Sequence, residues 1–250
     1  MNSIHCIESA CRIVAETIEL VGKHIIAGIT TAELDAIAED YILSKDALPA
    51  FKGYRGFPNT LCISVEDEVV HGIPSAQRKL QEGEIVSIDC GVKKNGYYGD
   101  AAYTFPVGVI SAEKQRLLDV TEKSLELGIQ QATARNKVYD ISRAVQQYVE
   151  SQGYSIVREL TGHGVGRKLH EDPSIPNFVP PLLYRSHYPN MKLQRGQTLA
   201  IEPMVNSGSY QVFTGEDGWT IYTADNQPSA HFEHTVMVDE NKPVILTLSN

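Results

Sequence analysis

The sequence lacks any long hydrophobic run, and this absence argues against a membrane-spanning helix. No apolar stretch approaches the roughly 18 residues that a membrane helix requires. Residues 1–8 contain neither a basic start nor a continuous apolar segment, so they are not typical of a signal peptide. We therefore expect a cytoplasmic protein with no membrane partner.

Cysteine is also scarce, and its spacing excludes two kinds of site. The four cysteines are Cys6, Cys11, Cys62 and Cys90. No two of them have the Cys-x-x-Cys spacing of a zinc or thiol redox motif. In a chain without a secretion signal we expect reduced thiols buried in the core.

Positive charge is in the minority. The chain has 22 Lys and Arg against 31 Asp and Glu, a net charge of −9 at pH 7. Proteins that wrap a nucleic-acid backbone need clustered cations, so we expect no DNA partner. The 250 residues are 42% hydrophobic and 21% charged, values that are typical of a globular protein with a substantial core.

What is present is a pattern that occurs twice. Apolar residues recur at helical spacing from Ile4 to Val21, in a helix that Gly28 is expected to end. Thr30 and Glu33 form the pattern of a capping box before a second helix at about 31–45. Two further helices are predicted at about 111–132 and 139–151. The sequence thus predicts a doubled α+β unit with pseudo-two-fold symmetry, in one domain over 1–250 with halves at about 1–110 and 111–250.

Acidic residues follow β-prone runs at equivalent points of the two halves. The segment from Gly83 ends in Asp89, and the segment from Gly196 ends in Glu202. The next apolar strand carries Asp100 in the first half and Glu233 in the second. An ionised carboxylate in such a strand costs several kcal/mol unless it is paired or coordinated. The pattern therefore indicates a metal or catalytic site.

Asp89 and Asp100 are expected to lie on one face of a hairpin. Asn95-Gly96 is a strong hairpin signal between the two strands. A loop over residues 93–96 would place the two acids directly opposite each other. A loop of Asn95 and Gly96 alone would make them diagonal neighbours on the same face. In both cases the two carboxylates need a proton or a cation between them.

Histidines near glycines add nitrogen ligands to this set. His163 lies between Gly162 and Gly164, His170 follows seven residues later, and His71 precedes Gly72. Carboxylates suit hard cations such as Mn²⁺, and imidazole admits Fe²⁺, Co²⁺ or Zn²⁺. Four acids are more than one catalytic metal needs, so two metals that share carboxylates and activate a water for hydrolysis are the favoured interpretation.

These residues lie in motifs that resemble those of the type I methionine aminopeptidases, and the resemblance covers essentially the whole chain. The matching segments are Val69–Pro74, Ile88–Gly91, Gly99–Asp100, Gly162–Arg167, His170–Glu171, Ile201–Met204 and Phe232–Thr235. The family implies the pita-bread (creatinase/aminopeptidase) fold, with two αβ halves around a central antiparallel sheet. It also implies removal of the initiator methionine from nascent proteins when the second residue is small.

The resemblance implies a role for each site residue. Two divalent metals, drawn from Co, Mn, Fe, Zn and Ni, would be bound by Asp89, Asp100, His163, Glu202 and Glu233. Asp100 and Glu233 would bridge them. Glu202 would also carry the proton of the attacking water, His170 would hydrogen-bond the scissile carbonyl, and His71 would contact the scissile amide. The methionine side chain would bind among Phe51, Tyr54, Phe57, Cys62, Leu169 and Trp219.

The sequence departs from the family pattern in a few places. Leu169 stands where many relatives have Phe, which would loosen the pocket wall. Glu66 replaces an Asn in a region that holds a monovalent cation in relatives, so that cation site is in doubt. The segment 174–194 is longer than usual and rich in proline. We expect it to be an ordered surface loop.

Two alternatives remain open at this point. An X-Pro aminopeptidase or prolidase would have the same fold, although such enzymes usually carry a separate N-terminal domain. A non-catalytic relative would serve as a binding module, for example at the ribosome or on RNA, and should have lost metal ligands. The favoured hypothesis is an aminopeptidase that acts as a monomer on nascent peptide N-termini, with the ribosome as a candidate partner.

Overall fold

The computed structural model describes residues 3–248. Its helices are α1 (Ser3–Gly22), α2 (Thr31–Ser44), α3 (Ala112–Gln130) and α4 (Val138–Ser151). The predicted capping box is present, since the Thr30 hydroxyl accepts from the Glu33 N–H and the Glu33 carboxylate accepts from the Thr30 N–H. The expected end of the first helix was wrong. Helix α1 stops at Gly22, and Gly28 lies in the following turn, where its N–H donates to the Leu80 carbonyl.

Short strands make up most of the remaining regular structure. They are β1 (Leu48–Pro49), β2 (Leu61–Val65), β3 (Glu68–Val70), β4 (Ile85–Lys94), β5 (Tyr97–Pro106), β6 (Ser155–Ile156), β7 (Thr161–Gly164), β8 (Glu171–Pro176), β9 (Thr198–Ile201), β10 (Met204–Asn206), β11 (Val212–Thr214), β12 (Ile221–Thr223), β13 (Ser229–His231), β14 (Glu233–Met237) and β15 (Val244–Ile245). Single 3-10 turns occur at Tyr54–Gly56 and Leu182–Tyr184.

A nine-stranded antiparallel sheet forms the centre of the molecule. Its order is β1-β4-β5-β14-β9-β7-β8, with β2 beside β4 and β15 beside β14. Strands β5 and β14 are therefore neighbours at the middle, one from each half of the sequence. Helices and a central antiparallel sheet give the predicted α+β pita-bread architecture. The chain boundary between the halves, near residue 110, stays a prediction.

The helices cover one face of this sheet, and that decides where the acids point. Ile88 and Cys90 of β4 pack with Val14 and Ile18 of α1 in one hydrophobic cluster. A second cluster joins residues of β9 and β14 to α3 and α4, among them Leu199, Val236, Leu125 and Ile141. Because successive side chains of a strand point to opposite faces, the acids between these apolar residues face away from the helices. All four cysteine side chains are buried, as expected.

Among residues 3–248, no helix has both the length and the hydrophobicity that crossing a bilayer requires.

Candidate active site

The β4–β5 hairpin positions the first two acids. Lys94 pairs with Tyr97, so the loop consists of Asn95 and Gly96 alone. Both loop residues have positive φ, of 52° and 79°, as the tight hairpin turn requires. Of the two hairpin registers that the sequence left open, the one with Asn95 and Gly96 alone in the loop is therefore correct. Asp89 pairs with Ala102 and Gly91 with Asp100, which makes the two acids diagonal neighbours on one face.

The sheet order brings all five predicted metal ligands to one cavity. Glu233 pairs with the same Ala102 of β5 that faces Asp89 from the other side. Glu202 directly follows β9, and His163 of β7 pairs with Ala200 of β9. One cavity is lined by all five residues: Asp89, Asp100, His163, Glu202 and Glu233. One ligand atom from each of Asp100, His163 and Glu233 lies within 4.8 Å of the others.

Three carboxylates of this cavity have an oxygen that no other part of the described chain satisfies. One oxygen each of Asp89, Asp100 and Glu233 is buried with no hydrogen-bond partner among the described residues. Burial raises the pKa of Asp89 to about 8, and burial with the neighbouring carboxylates raises the pKa of Asp100 and Glu233 well above the ordinary range. The pKa of Glu202 is likewise raised by burial and by Asp89. Such a group is stable in its ionised form only with added positive charge.

His163 completes the fit to a cation. Its Nδ1 lies 2.9 Å from the Gly164 carbonyl, which can only accept, so Nδ1 carries the proton. The Nε2 lone pair then faces oxygen atoms of Glu202 at 3.5 Å and Asp100 at 3.9 Å. Burial lowers the pKa of His163 to about 4, so the ring is neutral near pH 7. A lone pair that faces two carboxylate oxygens is repulsive unless a cation lies between them, and oxygen-rich sites with imidazole suit divalent metals.

Two more histidines line the same cavity. Nδ1 of His170 lies 2.9 Å from the hydroxyl of Tyr54, and the two rings stack with centroids 5.2 Å apart. His170 also lies against His163, at a centroid distance of 4.2 Å. His71 follows β3 with a φ of 61°, a left-handed conformation that is rare for a residue with a side chain and that recurs at functional sites. Burial lowers its pKa.

The residues expected to bind methionine come together beside the acids. Phe51, Phe57, Cys62 and Leu169 form one buried cluster, against which Tyr54 and Trp219 pack. The Phe57 and Trp219 rings meet edge to face at a centroid distance of 5.2 Å. All of these residues except Leu169 line the same cavity as the acids. That they bind methionine stays a prediction.

Sequence reasoning missed His231 and Arg55. His231, at the end of β13, is 2% exposed, and its Nε2 lies 3.7 Å from Oε2 of Glu202. It stands two residues before Glu233 but in a strand of a different sheet, so the alternation within one strand does not indicate it. Arg55, with a φ of 50°, lines the cavity beside Tyr54. It lies in a Gly-flanked turn that carries no periodic signal.

Two departures from the family pattern have a structural counterpart. The Glu66 carboxylate accepts from the Ile85 N–H and from the Lys114 ammonium, at 2.8 and 2.6 Å. The Lys114 ammonium thus already pairs with the Glu66 carboxylate. A bound monovalent cation at this place stays a prediction in doubt. The 174–194 segment is held against the start of α4, since the Val138 N–H donates to the Met191 carbonyl and the Tyr139 N–H to Asn190.

Comparison with known proteins agrees with this geometry. Residues 5–240 match the model of Metallopeptidase family M24. The chain is 51% identical over 247 residues to the methionine aminopeptidase of Clostridium perfringens, which covers 99% of this chain and 96% of that protein. The methionine aminopeptidase structure of Thermotoga maritima superimposes with a TM-score of 0.94 at 41% identity, over 98% of this chain and 96% of that one. The prolidase of Pyrococcus furiosus, at 22% identity and a TM-score of 0.80 over 99% and 64%, shares the fold alone.

Proposed function

The chain belongs to metallopeptidase family M24, and from this membership and the cavity we propose that it removes the N-terminal methionine of proteins whose second residue is small. The observation that carries the proposal is the adjacency of two features. A cluster of unpartnered carboxylates with an imidazole lone pair adjoins a buried pocket of aromatic and sulfur-containing side chains.

The five clustered residues Asp89, Asp100, His163, Glu202 and Glu233 would hold two divalent metals. Asp100 and Glu233, on the neighbouring central strands β5 and β14, would supply negative charge to both. Bound metals would supply Lewis acidity, which lowers the pKa of the attacking water and stabilises charge on the carbonyl oxygen. Which metals the protein uses is open, because ligand types alone do not decide between Co, Mn, Fe, Zn and Ni.

Glu202 is the proposed proton carrier. Its carboxylate takes the proton of the attacking water and returns it to the amine that leaves. A carboxyl whose pKa is raised by burial and by the neighbouring Asp89 holds a proton more readily than an exposed one, which suits a group that must accept a proton and then return it. Its backbone is fixed, because the Asn177 side-chain amide donates to the Glu202 carbonyl at 2.9 Å.

His170 and His71 act on the peptide bond itself. In this role the Tyr54 hydroxyl, 2.9 Å from Nδ1 of His170, would donate to that nitrogen and leave Nε2–H available for the scissile carbonyl oxygen and the oxyanion that develops from it. A neutral His170 fits this role, and burial with the nearby His163 lowers its pKa. His71, on the cavity wall, would contact the scissile amide and assist departure of the amine.

The methionine side chain fills the aromatic pocket. A thioether gains about 0.3–1.5 kcal/mol from sulfur–aromatic contacts. Phe51, Phe57 and Trp219 supply the rings. Leu169 in place of a larger aromatic residue leaves this wall with less side-chain volume. Nascent peptides are the proposed substrates, and docking at the ribosome, a monomeric state and a cytoplasmic location remain predictions.

Substrate choice tests the proposal against its rival on the same fold. Purified protein is assayed anaerobically with each divalent metal on Met-Ala-Ser and on X-Pro peptides, with metal content measured per chain. We expect methionine release from Met-Ala-Ser and little cleavage of X-Pro bonds. Faster X-Pro cleavage would support a prolidase, and bound metal with no cleavage of either peptide would support a non-catalytic binding module.

A further inference from the structure

His231 has a rigid backbone at the centre of the molecule. It pairs with Met204 in the small sheet β13-β10-β6. The Thr104 hydroxyl donates to the His231 carbonyl at 2.8 Å and accepts from the His231 N–H at 2.9 Å. Thr104 is fully buried, and its hydroxyl also lies 2.8 Å from that of Ser87. The imidazole therefore projects from a fixed point.

The ring itself is unsatisfied within the protein. Both Nδ1 and Nε2 of His231 are buried without a hydrogen-bond partner among residues 3–248. A neutral imidazole has one N–H donor and one acceptor, and buried polar atoms in native proteins are rarely left without partners. A buried imidazole with neither nitrogen satisfied indicates a use for its ring.

The nearest candidate for that use is Glu202. One carboxylate oxygen, Oε1, lies 3.5 Å from Nε2 of His163, and the other, Oε2, lies 3.7 Å from Nε2 of His231. The carboxylate thus stands between two imidazoles. The last torsion of a glutamate side chain is broad and weakly restricted, so neighbouring groups must fix the plane of the carboxylate.

We propose that His231 is a positioning residue for Glu202. Its Nε2–H donates to Oε2 after a small rotation of the carboxylate, which keeps Oε1 directed toward His163 and the cavity. This inference rests on the proposed role of Glu202 as proton carrier. His231 does not line the cavity, so it acts through Glu202 and does not touch the peptide.

Histidine NMR tests the contact without an activity assay. In Zn²⁺-loaded protein labelled with ¹⁵N-histidine, we expect His231 as the Nε2–H tautomer, with a ring proton shifted downfield and slow to exchange with water. His231→Gln identifies the signal by its loss, and Glu202→Ala should remove the downfield shift. An Nδ1–H tautomer, or a signal that Glu202→Ala leaves unchanged, would overturn the proposal.

Kinetics test the consequence. His231→Leu keeps a similar volume but removes the donor, and we expect kcat on Met-Ala-Ser to fall by about 10- to 100-fold, the effect of one hydrogen bond to a charged group. KM should change little. His231→Gln, which keeps a donor, should recover most of the loss. Equal losses in the Leu and Gln variants would contradict a positioning role.

A double-mutant comparison separates positioning from a structural role. In a Glu202→Ala background, measured at high enzyme concentration, adding His231→Leu should change residual kcat by less than about twofold, because coupled residues are not additive. A structural role would give the same loss in both backgrounds and would overturn the inference. If the unmodified protein does not cleave Met-Ala-Ser, the proposed function fails, whereas the NMR result still decides the contact between His231 and Glu202.

Discussion

Asp100 contributes charge to this protein, whereas the buried acid Asp35 contributes structure. The backbone of Asp100 is fixed by Thr235, whose hydroxyl accepts from its N–H and donates to its carbonyl. Its carboxylate has an oxygen without a partner. Asp35, by contrast, accepts from the N–H groups of Thr60 and Leu61 and from the side-chain amide of Asn59. Two buried acids thus differ in their hydrogen bonds: the protein satisfies the carboxylate of Asp35, whereas that of Asp100 retains an oxygen without a partner among the described residues.

Asp100→Asn should therefore lower kcat/KM on Met-Ala-Ser by at least about 100-fold, since even partners outside the ligand set typically change metal affinity or activity by 10- to 100-fold. Urea unfolding of the metal-free variant should show no loss of stability, because the substitution removes repulsion from Asp89 and Glu202. An active variant with a full metal complement would disprove the ligand assignment.

Asp35→Asn is the matched control. It should cost about 1–3 kcal/mol of unfolding free energy, because it disturbs acceptors of buried N–H groups. Its kcat on Met-Ala-Ser should stay close to that of the unmodified protein. If Asp35→Asn and Asp100→Asn lose activity to the same degree, the assignment of Asp100 to activity and of Asp35 to stability is wrong.

His170 and Tyr54 give a graded pair of substitutions. His170→Ala should lower kcat by about 100-fold, the typical effect of removing a donor to a developing oxyanion. Tyr54→Phe keeps His170 but removes the hydroxyl at its Nδ1, so its effect on kcat should be smaller. Steady-state kinetics measure both, with the exposed His187→Ala as a control. A change confined to KM in His170→Ala would assign the residue to binding.

Among the elements, the turn after β3 has no room for a side chain at one of its glycines. Gly72 lies against β2, where the Ile63 N–H donates to its carbonyl and its own N–H donates to the Ser64 hydroxyl. A Cβ at Gly72 would lie 2.2 Å from the Ile63 carbonyl oxygen. His71, with its left-handed backbone conformation, directly precedes this close approach between the two strands.

Gly72→Ala should thus displace His71. We expect a loss of about 1–3 kcal/mol in unfolding free energy from overpacking, together with a fall in kcat. Gly28→Ala is a suitable control, since Gly28 has a φ of 96° but open space around its Cα. That variant should lose stability through backbone strain alone and keep its kcat within about twofold. Denaturant unfolding and steady-state kinetics, measured on the same samples, compare the Gly72→Ala and Gly28→Ala variants.

For the molecule as a whole, the proposed ligands join its two halves. Asp89 and Asp100 belong to the β4–β5 hairpin. The other three proposed ligands lie more than 60 residues after Asp100 in the sequence: His163, Glu202 and Glu233. Metals bound by both groups would cross-link β4 and β5 to β7, β9 and β14. Binding to the folded state alone stabilises it by mass action.

Metal removal should consequently lower the melting temperature. At metal concentrations about 100 times the dissociation constant the stabilisation is about 2.7 kcal/mol, or roughly 5–10 °C for a chain of this size. Calorimetry with a chelator and with Mn²⁺ measures the difference. Asp100→Asn should reduce this difference in melting temperature. If the variant shows the same difference as the unmodified protein, the metal binds elsewhere.

The amino-acid sequence by itself determined the chemistry and the local structure. Helical periodicity located the helices to within a few residues, although it misplaced the end of α1, because the chain leaves the helix at Gly22 without a periodic signal to mark it. Acids in apolar strands indicated a cation site, since burying a charge has a large cost that only pairing or coordination offsets. Family motifs then suggested a role for each of these residues.

Only the tertiary structure decided the register of the β4–β5 hairpin and which distant side chains lie close together. The choice between two hairpin registers depended on which residues formed the Asn95-Gly96 loop. The contact of His231 with Glu202 joins strands from different sheets, and no local pattern encodes such a distance. Local sequence sets backbone preferences and the alternation of side chains. The packing of distant segments, which depends on the whole core at once, sets which of those side chains meet.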